Sequence, residues 1–468
     1  TLSLHDALPI SPKPQNPRLS INLLPYNKFI LLIMKSFGVL ISALGLAYAK
    51  PAEEIVTSLP QMGTFDTYGV YSGYVPIENT SKTLHYLLVE SANDWETDPL
   101  VLWTNGGPGC SSLLGFSTEN GPFTMLDNTT TFEPNPYSWN LNASMLYMEH
   151  PAGVGYSYCD PAIEADCTFD DLTDAEDNLA MILGWFAKYP EYKGHDFYLS
   201  GESYAGIYVP YMMQQIDWYN KNQTVAEDMI NLKGIMVGNG VTNWTYDTMP
   251  ATLSMAYHHA LYNDELYDKM QKDKCDYSLI EFNQFPSDDC MGYLDTFDNL
   301  TESIDIYNIF KPVYPGALLK KPTNQFSLHT VASKLRVVNG HPVVSKVATQ
   351  NDYTPWARRK SPLKFGVGPP DYFNDQTVKD ALHIPASVQA WGECSNAINY
   401  TMFEKGSQFI WEDLKNEYRM LKFSGDIDMC VPTIGSLGWI LAMNRTVTED
   451  WRQWQCTEDG TSQVGGWI

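Results

Sequence analysis

The chain has 468 residues, 44% hydrophobic and 13% aromatic, which is ample for a packed core and argues against disorder. Its 30 basic and 55 acidic side chains give a formal net charge of −25. That balance excludes nucleic acid as a partner, because a phosphate backbone needs a basic face. It suits an acidic compartment, where carboxylates titrate and self-repulsion falls.

The N-terminal segment stands apart. Met34-Lys35, the apolar run Phe37 to Leu46 and the small-x-small triplet Ala47-Tyr48-Ala49 read as a secretory signal peptide, residues 34–49, cleaved after Ala49. The run is too short to span a bilayer as a mature helix, so no membrane is expected as a partner of the mature form. Residues 1–33 read as non-native upstream sequence; genuine sequence with an internal signal anchor is the competing reading. Asn-x-Ser/Thr sequons begin at Asn79, Asn128, Asn142, Asn222, Asn243, Asn299, Asn399 and Asn444, candidate glycan sites on the surface. Eight cysteines, none in Cys-x-x-Cys, fit disulfides in an oxidising compartment. There is no His-Glu-x-x-His and no Cys/His cluster, so neither a metal nor a cofactor is expected.

From Tyr68 to Leu88 the pattern alternates and is rich in Tyr and Val, predicting antiparallel strands and hairpins. Leu100–Trp103 and Ala143–Met148 are short continuous apolar runs, consistent with buried strands. Ala175–Tyr189 has helical spacing, with acids in its first turn and Lys188 near its end. The apolar centre of His195–Ser200 predicts a strand, Ile207–Met213 the start of a helix, and Leu232–Gly238 another strand. From about Asn243 to Pro370 the rhythm lapses; residues 243–370 read as an insertion or cap over a core formed by 50–242 and 371–468. Val378–His383 begins a helix and Leu421–Gly425 is a final strand. Strands alternating with helices imply an α/β fold with a mostly parallel sheet.

Two loops in this frame carry chemistry. Gly201-Glu-Ser-Tyr-Ala-Gly206 lies between a predicted strand and a predicted helix, the setting of a nucleophile elbow. Small residues at 201 and 205 let the backbone turn so tightly that the Ser203 hydroxyl stands exposed. The reaction class is acyl transfer through a covalent serine ester. Asn105-Gly-Gly-Pro-Gly-Cys-Ser-Ser112 follows the strand at 100–103. A glycine-rich loop there could cradle phosphate, but it lacks the Gly-Lys-Ser/Thr ending of a P-loop. It reads better as half of an oxyanion hole, with the N–H groups of Gly107 and Tyr204 as the two donors.

Together with Trp103-Thr104 before that loop, Glu119-Asn-Gly-Pro122, Gly234-Ile-Met-Val-Gly-Asn-Gly240 and Ser424-Gly-Asp-Ile-Asp428, these motifs make the chain resemble the serine carboxypeptidases, in family order and over most of residues 60–468. The resemblance implies an α/β-hydrolase fold, location in the secretory pathway, extracellular or vacuolar/lysosomal, and release of single residues from peptide C-termini. It assigns the receptor for the terminal carboxylate to Asn105, the Gly106 backbone, Glu119 and Glu202. Two acids held together in a cleft can share a proton, and the protonated carboxyl can donate to the substrate carboxylate, so acidic pH is expected to favour peptidase activity. Asp428 follows the last predicted strand, as the Ser…Asp…His order demands, and the family pattern prefers it to Asp426 as the triad acid. The same resemblance pairs Cys110 with Cys394; Cys275–Cys290 and Cys159–Cys167 are local possibilities, and Cys430 either lines the site as a thiol or pairs with Cys456.

The base is missing. The nine histidines are at 5, 85, 150, 195, 258, 259, 329, 341 and 383, and none follows Asp428. The ending Gly465-Gly-Trp-Ile468 resembles the family segment that precedes the histidine loop, so the chain is expected to be a C-terminally incomplete fragment, nearly inactive as written. A serine carboxypeptidase-like acyltransferase and a non-catalytic peptide-binding or protective protein are the competing functions.

Overall fold

The computed structural model describes residues 50–282, 284–311, 333–338, 341–346, 368–395, 398–458 and 461–468. The signal-peptide and upstream readings lie outside these residues. Residues 50–468 form one compact unit.

Seven strands make the central sheet: β1 (Val70–Pro76), β2 (Thr83–Val89), β3 (Leu100–Thr104), β4 (Ser144–Met148), β5 (Phe197–Glu202), β6 (Leu232–Gly238) and β7 (Arg419–Phe423). Their order across the sheet is β7-β6-β5-β3-β4-β2-β1. The five from β7 to β4 run parallel. β2 joins β4 antiparallel, and β1 and β2 form the expected hairpin, with Val70 opposite Val89 and Pro76 opposite Thr83. β3 and β4 are buried along their whole length, which is why they read as unbroken apolar runs rather than alternating ones.

Helix α1 (Leu113–Thr118) follows the glycine-rich loop, α2 (Asp171–Lys188) precedes β5, and α3 (Ala205–Lys221) follows the elbow. α2 begins four residues before the expected start, because Asp170 caps it. The Asp170 carboxylate accepts the N–H of Leu172 (3.1 Å) and Thr173 (2.8 Å), and Thr173 Oγ1 accepts the Asp170 N–H. Its buried stripe of Leu172, Ala175, Met181, Ile182, Trp185 and Phe186 lies in the main core, where each large apolar side chain contributes about 1.5–3 kcal/mol.

α3 contains Pro210, which has no N–H to offer the Gly206 carbonyl one turn back. The Ser407 hydroxyl donates to that carbonyl instead, at 2.5 Å, in a fully buried setting. Ser407→Ala should therefore cost roughly 1–3 kcal/mol in urea unfolding, the penalty of an unsatisfied buried carbonyl.

Among the described residues, the stretch whose rhythm lapses in the sequence includes the helices α4 (Met249–His258), α5 (Asp264–Lys272) and α6 (Asp288–Thr301). Buried residues from all three, with Met429 and Cys430, form a cluster separate from the sheet cores. Asn263 caps α5 and Ser287 caps α6 through their side chains, each followed by two acids, so both starts carried a sequence signal. A final helix α7 (Thr433–Ala442) follows the acid loop, and Gln453–Glu458 pairs antiparallel with Thr461–Trp467.

Disulfides join Cys110–Cys394, Cys159–Cys167 and Cys275–Cys290, while Cys430 and Cys456 keep their thiols, so the Cys430–Cys456 pairing is not formed. Seven of the sequon asparagines are exposed. Asn243 is half-buried, with its amide donating to Gln408 Oε1 at 2.6 Å. Among the described residues, no helix is long and apolar enough to cross a membrane.

Candidate active site

Two loops meet at the carboxyl ends of the adjacent parallel strands β3 and β5, where Thr104 pairs with Gly201. This is where open α/β sheets place their ligands. Ser203 occupies the turn between β5 and α3 with φ of 61°, a left-handed conformation that costs a non-glycine residue roughly 1–3 kcal/mol. The surrounding chain enforces it. Ser203 N–H donates to Gly238 O (3.2 Å), while the Ser203 carbonyl accepts from Val241 (2.9 Å) and Gly206 (3.0 Å).

The glycine-rich loop approaches from β3. A Cβ on Gly106 would lie 2.3 Å from Tyr204 N and 2.9 Å from Ser203 Cβ, so only glycine lets the loops come this close. Gly107, at φ 118°, lines one cleft with Ser203, Tyr204, Pro108, Val241, Trp244 and Met402. The cleft has about 300 Å³ of empty volume, including space open to solvent. The Tyr204 ring is pinned by its hydroxyl to the buried carboxylate of Asp171 (2.7 Å) at the start of α2, which also accepts from Tyr400 (3.0 Å) and Phe403 N–H (2.6 Å). Burial pushes the Asp171 carboxyl up to about 7.

Asn105 organises the other half of the site. Its Oδ1 accepts from Trp103 Nε1 (2.9 Å) and the Gly115 N–H (3.0 Å), which turns the amide nitrogen outward. Nδ2 donates to Glu119 Oε1 (3.1 Å) and to Glu202 Oε1 (3.0 Å). The two acids are also hydrogen-bonded to each other, which requires a shared proton. Burial pushes the Glu119 carboxyl up to about 7 against the stabilising bonds from Asn105 and Glu202. Glu202 lies well above the usual carboxylate range, through burial first and then the charges of Glu119 and Asp428.

Asp428 is buried on the loop after β7, and Asp426 is exposed. The Asp428 oxygens accept the N–H groups of Cys430 (2.7 Å) and Val431 (3.0 Å). Burial nonetheless lifts the carboxyl to about 6. Asn239, just past β6, ties this loop to the elbow. It donates to Gly425 O (3.0 Å) and Val431 O (3.2 Å) and accepts the Gly425 N–H (2.8 Å). Beside it, the hydroxyl of Tyr307 is hydrogen-bonded to Cys430.

Six histidines have described side chains, and none bonds Ser203 or Asp428. His85 joins Glu149 (2.8 Å) and Ser72 (2.9 Å). His150, fully buried, joins Asp174 (2.9 Å) and Thr104 Oγ1 (2.7 Å) and packs on Tyr208. His195, His258, His259 and His383 bond the backbone carbonyls of Asp98, Ser254, Met255 and Ile55. Asp171 and His150 support the loops but carry no motif signal of their own, because each acts by folding back onto a distant element; Trp103 and Asn239 lie inside the quoted motifs, which do not show the contacts they make. No group of His, Cys, Asp and Glu among the described residues could hold a metal ion.

A serine on a strand–turn–helix elbow, at the carboxyl end of a mostly parallel sheet, defines an α/β-hydrolase. The fold is shared with a prohormone-processing carboxypeptidase of Saccharomyces cerevisiae, at TM-score 0.65 and 19% identity over 90% of this chain and 89% of that one. Residues 60–468 match the family described as serine carboxypeptidase. Similar proteins include serine carboxypeptidase-like 21 of Arabidopsis thaliana, 35% identical over 89% of this chain and 87% of its own length. The lysosomal protective protein of Mus musculus is 31% identical, covering 90% and 87%. The chain belongs to the serine carboxypeptidase family, whose members are serine hydrolases.

Proposed function

We propose that this protein is a serine-type carboxypeptidase of the secretory pathway, extracellular or vacuolar/lysosomal, which releases C-terminal residues from peptides in mild acid. The observation that carries the reading is the Asn105 amide bridging two half-buried acids, Glu119 and Glu202, beside the Ser203 elbow. A neutral carboxyl and an amide N–H₂ are donors that an incoming acceptor can draw away from Glu119 and Glu202, and a peptide's terminal carboxylate is the matching acceptor. Ser203 attacks the carbonyl carbon of the last peptide bond. The N–H groups of Gly107 and Tyr204 hold the resulting oxyanion, and the chain minus its last residue stays on Ser203 as an ester until water releases it. Asp428 orients the histidine base.

The receptor is tested without turnover. By calorimetry, the Ser203→Ala protein should bind an N-blocked dipeptide acid at pH 5 at least ~10-fold more tightly than the same dipeptide amide, and Asn105→Ala should remove the difference. Equal binding of acid and amide by the Ser203→Ala protein would refute the assignment.

A further inference from the structure

A buried acid at the start of α2 plays no part in capping that helix. Asp170 supplies the cap, and the side chain of Asp171, the first helical residue, turns inward instead. Asp171 is 1% exposed. A carboxyl so placed is costly unless donors surround it. It has three, and all come from segments that build the Ser203 cleft. Tyr204 belongs to the elbow. Tyr400 and Phe403 belong to a segment beside the chain entering α2, where Asn399–Thr401 pairs in parallel with Thr168–Asp170.

These bonds lead to three walls of the cleft. Asp171 Oδ1 fixes the Tyr204 ring through its hydroxyl, and Tyr204 lines the cleft directly. Oδ2 accepts the Phe403 N–H at 2.6 Å, which holds the peptide bond that joins Met402 to Phe403; Met402 is a second lining residue. The Phe403 carbonyl accepts from Trp244 Nε1 at 3.0 Å, so the third wall hangs from the same residue. The Tyr204 and Trp244 rings meet with centroids 6.2 Å apart. Val241 and Pro108 extend the apolar lining, and among the described residues no acidic or basic side chain joins it. The receptor residues Asn105, Glu119 and Glu202 do not line this cleft. Glu202 precedes Ser203 and Tyr204 follows it. A receptor on the Glu202 side would hold the last residue of a peptide, and the cleft on the Tyr204 side would face the residue before it.

We propose that Asp171 is a positioning residue for specificity: by fixing Tyr204, Met402 and Trp244 together, it sets the apolar shape that selects the penultimate residue of the substrate. This rests on the carboxypeptidase reading of the site. Either protonation state of Asp171 keeps the three bonds, because a tyrosine hydroxyl can donate or accept and one carboxyl oxygen always remains for the Phe403 N–H. A side-chain amide at 171 can do the same, with its oxygen for Phe403 and its nitrogen for the two hydroxyls. Alanine keeps none of them.

The test is calorimetric binding at pH 5 by the full chain carrying Ser203→Ala, with N-acetyl-Leu-Leu, N-acetyl-Gly-Leu and N-acetyl-leucyl-leucinamide as probes. The two acids compare side chains in the cleft; the acid and its amide compare end groups at the receptor. With Asp171 present, Leu-Leu should bind at least about tenfold more tightly than Gly-Leu, the discrimination that an apolar pocket gives. Asp171→Ala should cut that ratio to about twofold or less and leave the acid-to-amide ratio unchanged, and Asp171→Asn should restore it. A side-chain ratio that survives in a folded Asp171→Ala protein overturns the proposal, as does a parent with no such preference. Loss of both ratios together also overturns it, since that marks a general structural role. If Asp171→Ala does not fold, Tyr204→Phe removes one of the three bonds and should lower the side-chain ratio about threefold; an unchanged ratio there is fatal to the idea. Equal binding of acid and amide by the parent, with the side-chain ratio intact, would count against the carboxypeptidase reading and leave the Asp171 result standing.

Discussion

The 468-residue chain should hydrolyse an N-blocked dipeptide roughly 10⁶-fold more slowly than a protein with a complete Ser–His–Asp triad. Ser203, the proposed nucleophile, is held at φ 61° in a cleft it shares with Gly107 and Tyr204. Its hydroxyl still needs a base, and no histidine follows Asp428 in the sequence. The six described histidines are bonded to other groups. His150 is the nearest in role, since Thr104 is paired with Gly201 of the elbow strand, but its two ring nitrogens are engaged by Asp174 and Thr104. Residual turnover from oxyanion stabilisation and binding is what such a chain retains. Appending a downstream segment that delivers a histidine to Ser203 should restore the rate, and Ser203→Ala should abolish it again. Fast turnover by the 468-residue chain, lost on His150→Gln, would place the base at His150 instead. Peptide binding with no turnover in any extended form would favour the non-catalytic reading.

Substrate binding should weaken as pH rises through about 7. Glu119 is lifted from 4.5 to about 7 by burial, and Glu202 lies higher than an ordinary carboxyl for the same reason with the charge of Glu119 added. Below that range the pair keeps its proton and donates to the incoming carboxylate. Above it the receptor becomes anionic and repels the substrate, so KM for a free-acid dipeptide should climb about tenfold per pH unit, while an amide substrate stays flat. The double replacement Glu119→Gln, Glu202→Gln should flatten the free-acid profile too. A free-acid KM that is constant from pH 5 to 8 would contradict the shared proton.

Stability carries the same sign. Glu119, Asp171, Asp247 and Asp428 all have folded-state values raised above the ordinary carboxyl range, to about 7, 7, 6 and 6. The folded state therefore holds more protons than the unfolded chain between about pH 4 and 7, and the stability they contribute is lost as pH rises through that window. Thermal melts should show a higher Tm at pH 5 than at pH 8.

Strand positions were legible where burial was complete, because a strand covered on both faces cannot hide its apolar run: β3 and β4 match to within a residue, and β6, buried at five of its seven positions, matches at both ends. The start of α2 was misjudged by four residues because the Asp170–Thr173 cap is a local hydrogen-bond event rather than a periodicity. The helices α4 to α6 show no clear helical period for opposite reasons: α5 buries only Leu266 and Met270, whereas α4 buries Met249, Ala251, Thr252, Leu253, Met255 and Ala256, which spread round the helix rather than along one stripe. At the site, the elbow and the glycine-rich loop announced themselves, since tight turns and close backbone approach demand glycine locally. The Asn105 bridge to Glu119 and Glu202 and the Asp171 anchor of Tyr204 were invisible, because their partners lie from 14 to 232 positions away.

By itself the sequence determined the reaction class, through a strand–turn–helix signal around Ser203 that needs no neighbour to be read, and through motif order it determined the family. Tertiary structure decided the electrostatics. Glu119 and Glu202 are ordinary acids in a list of 55, and Asp428 differs from Asp426 by two positions. Burial, one amide held between two carboxyls and a pair of backbone N–H groups are what separate them, because the free energy of a charge depends on what solvates it.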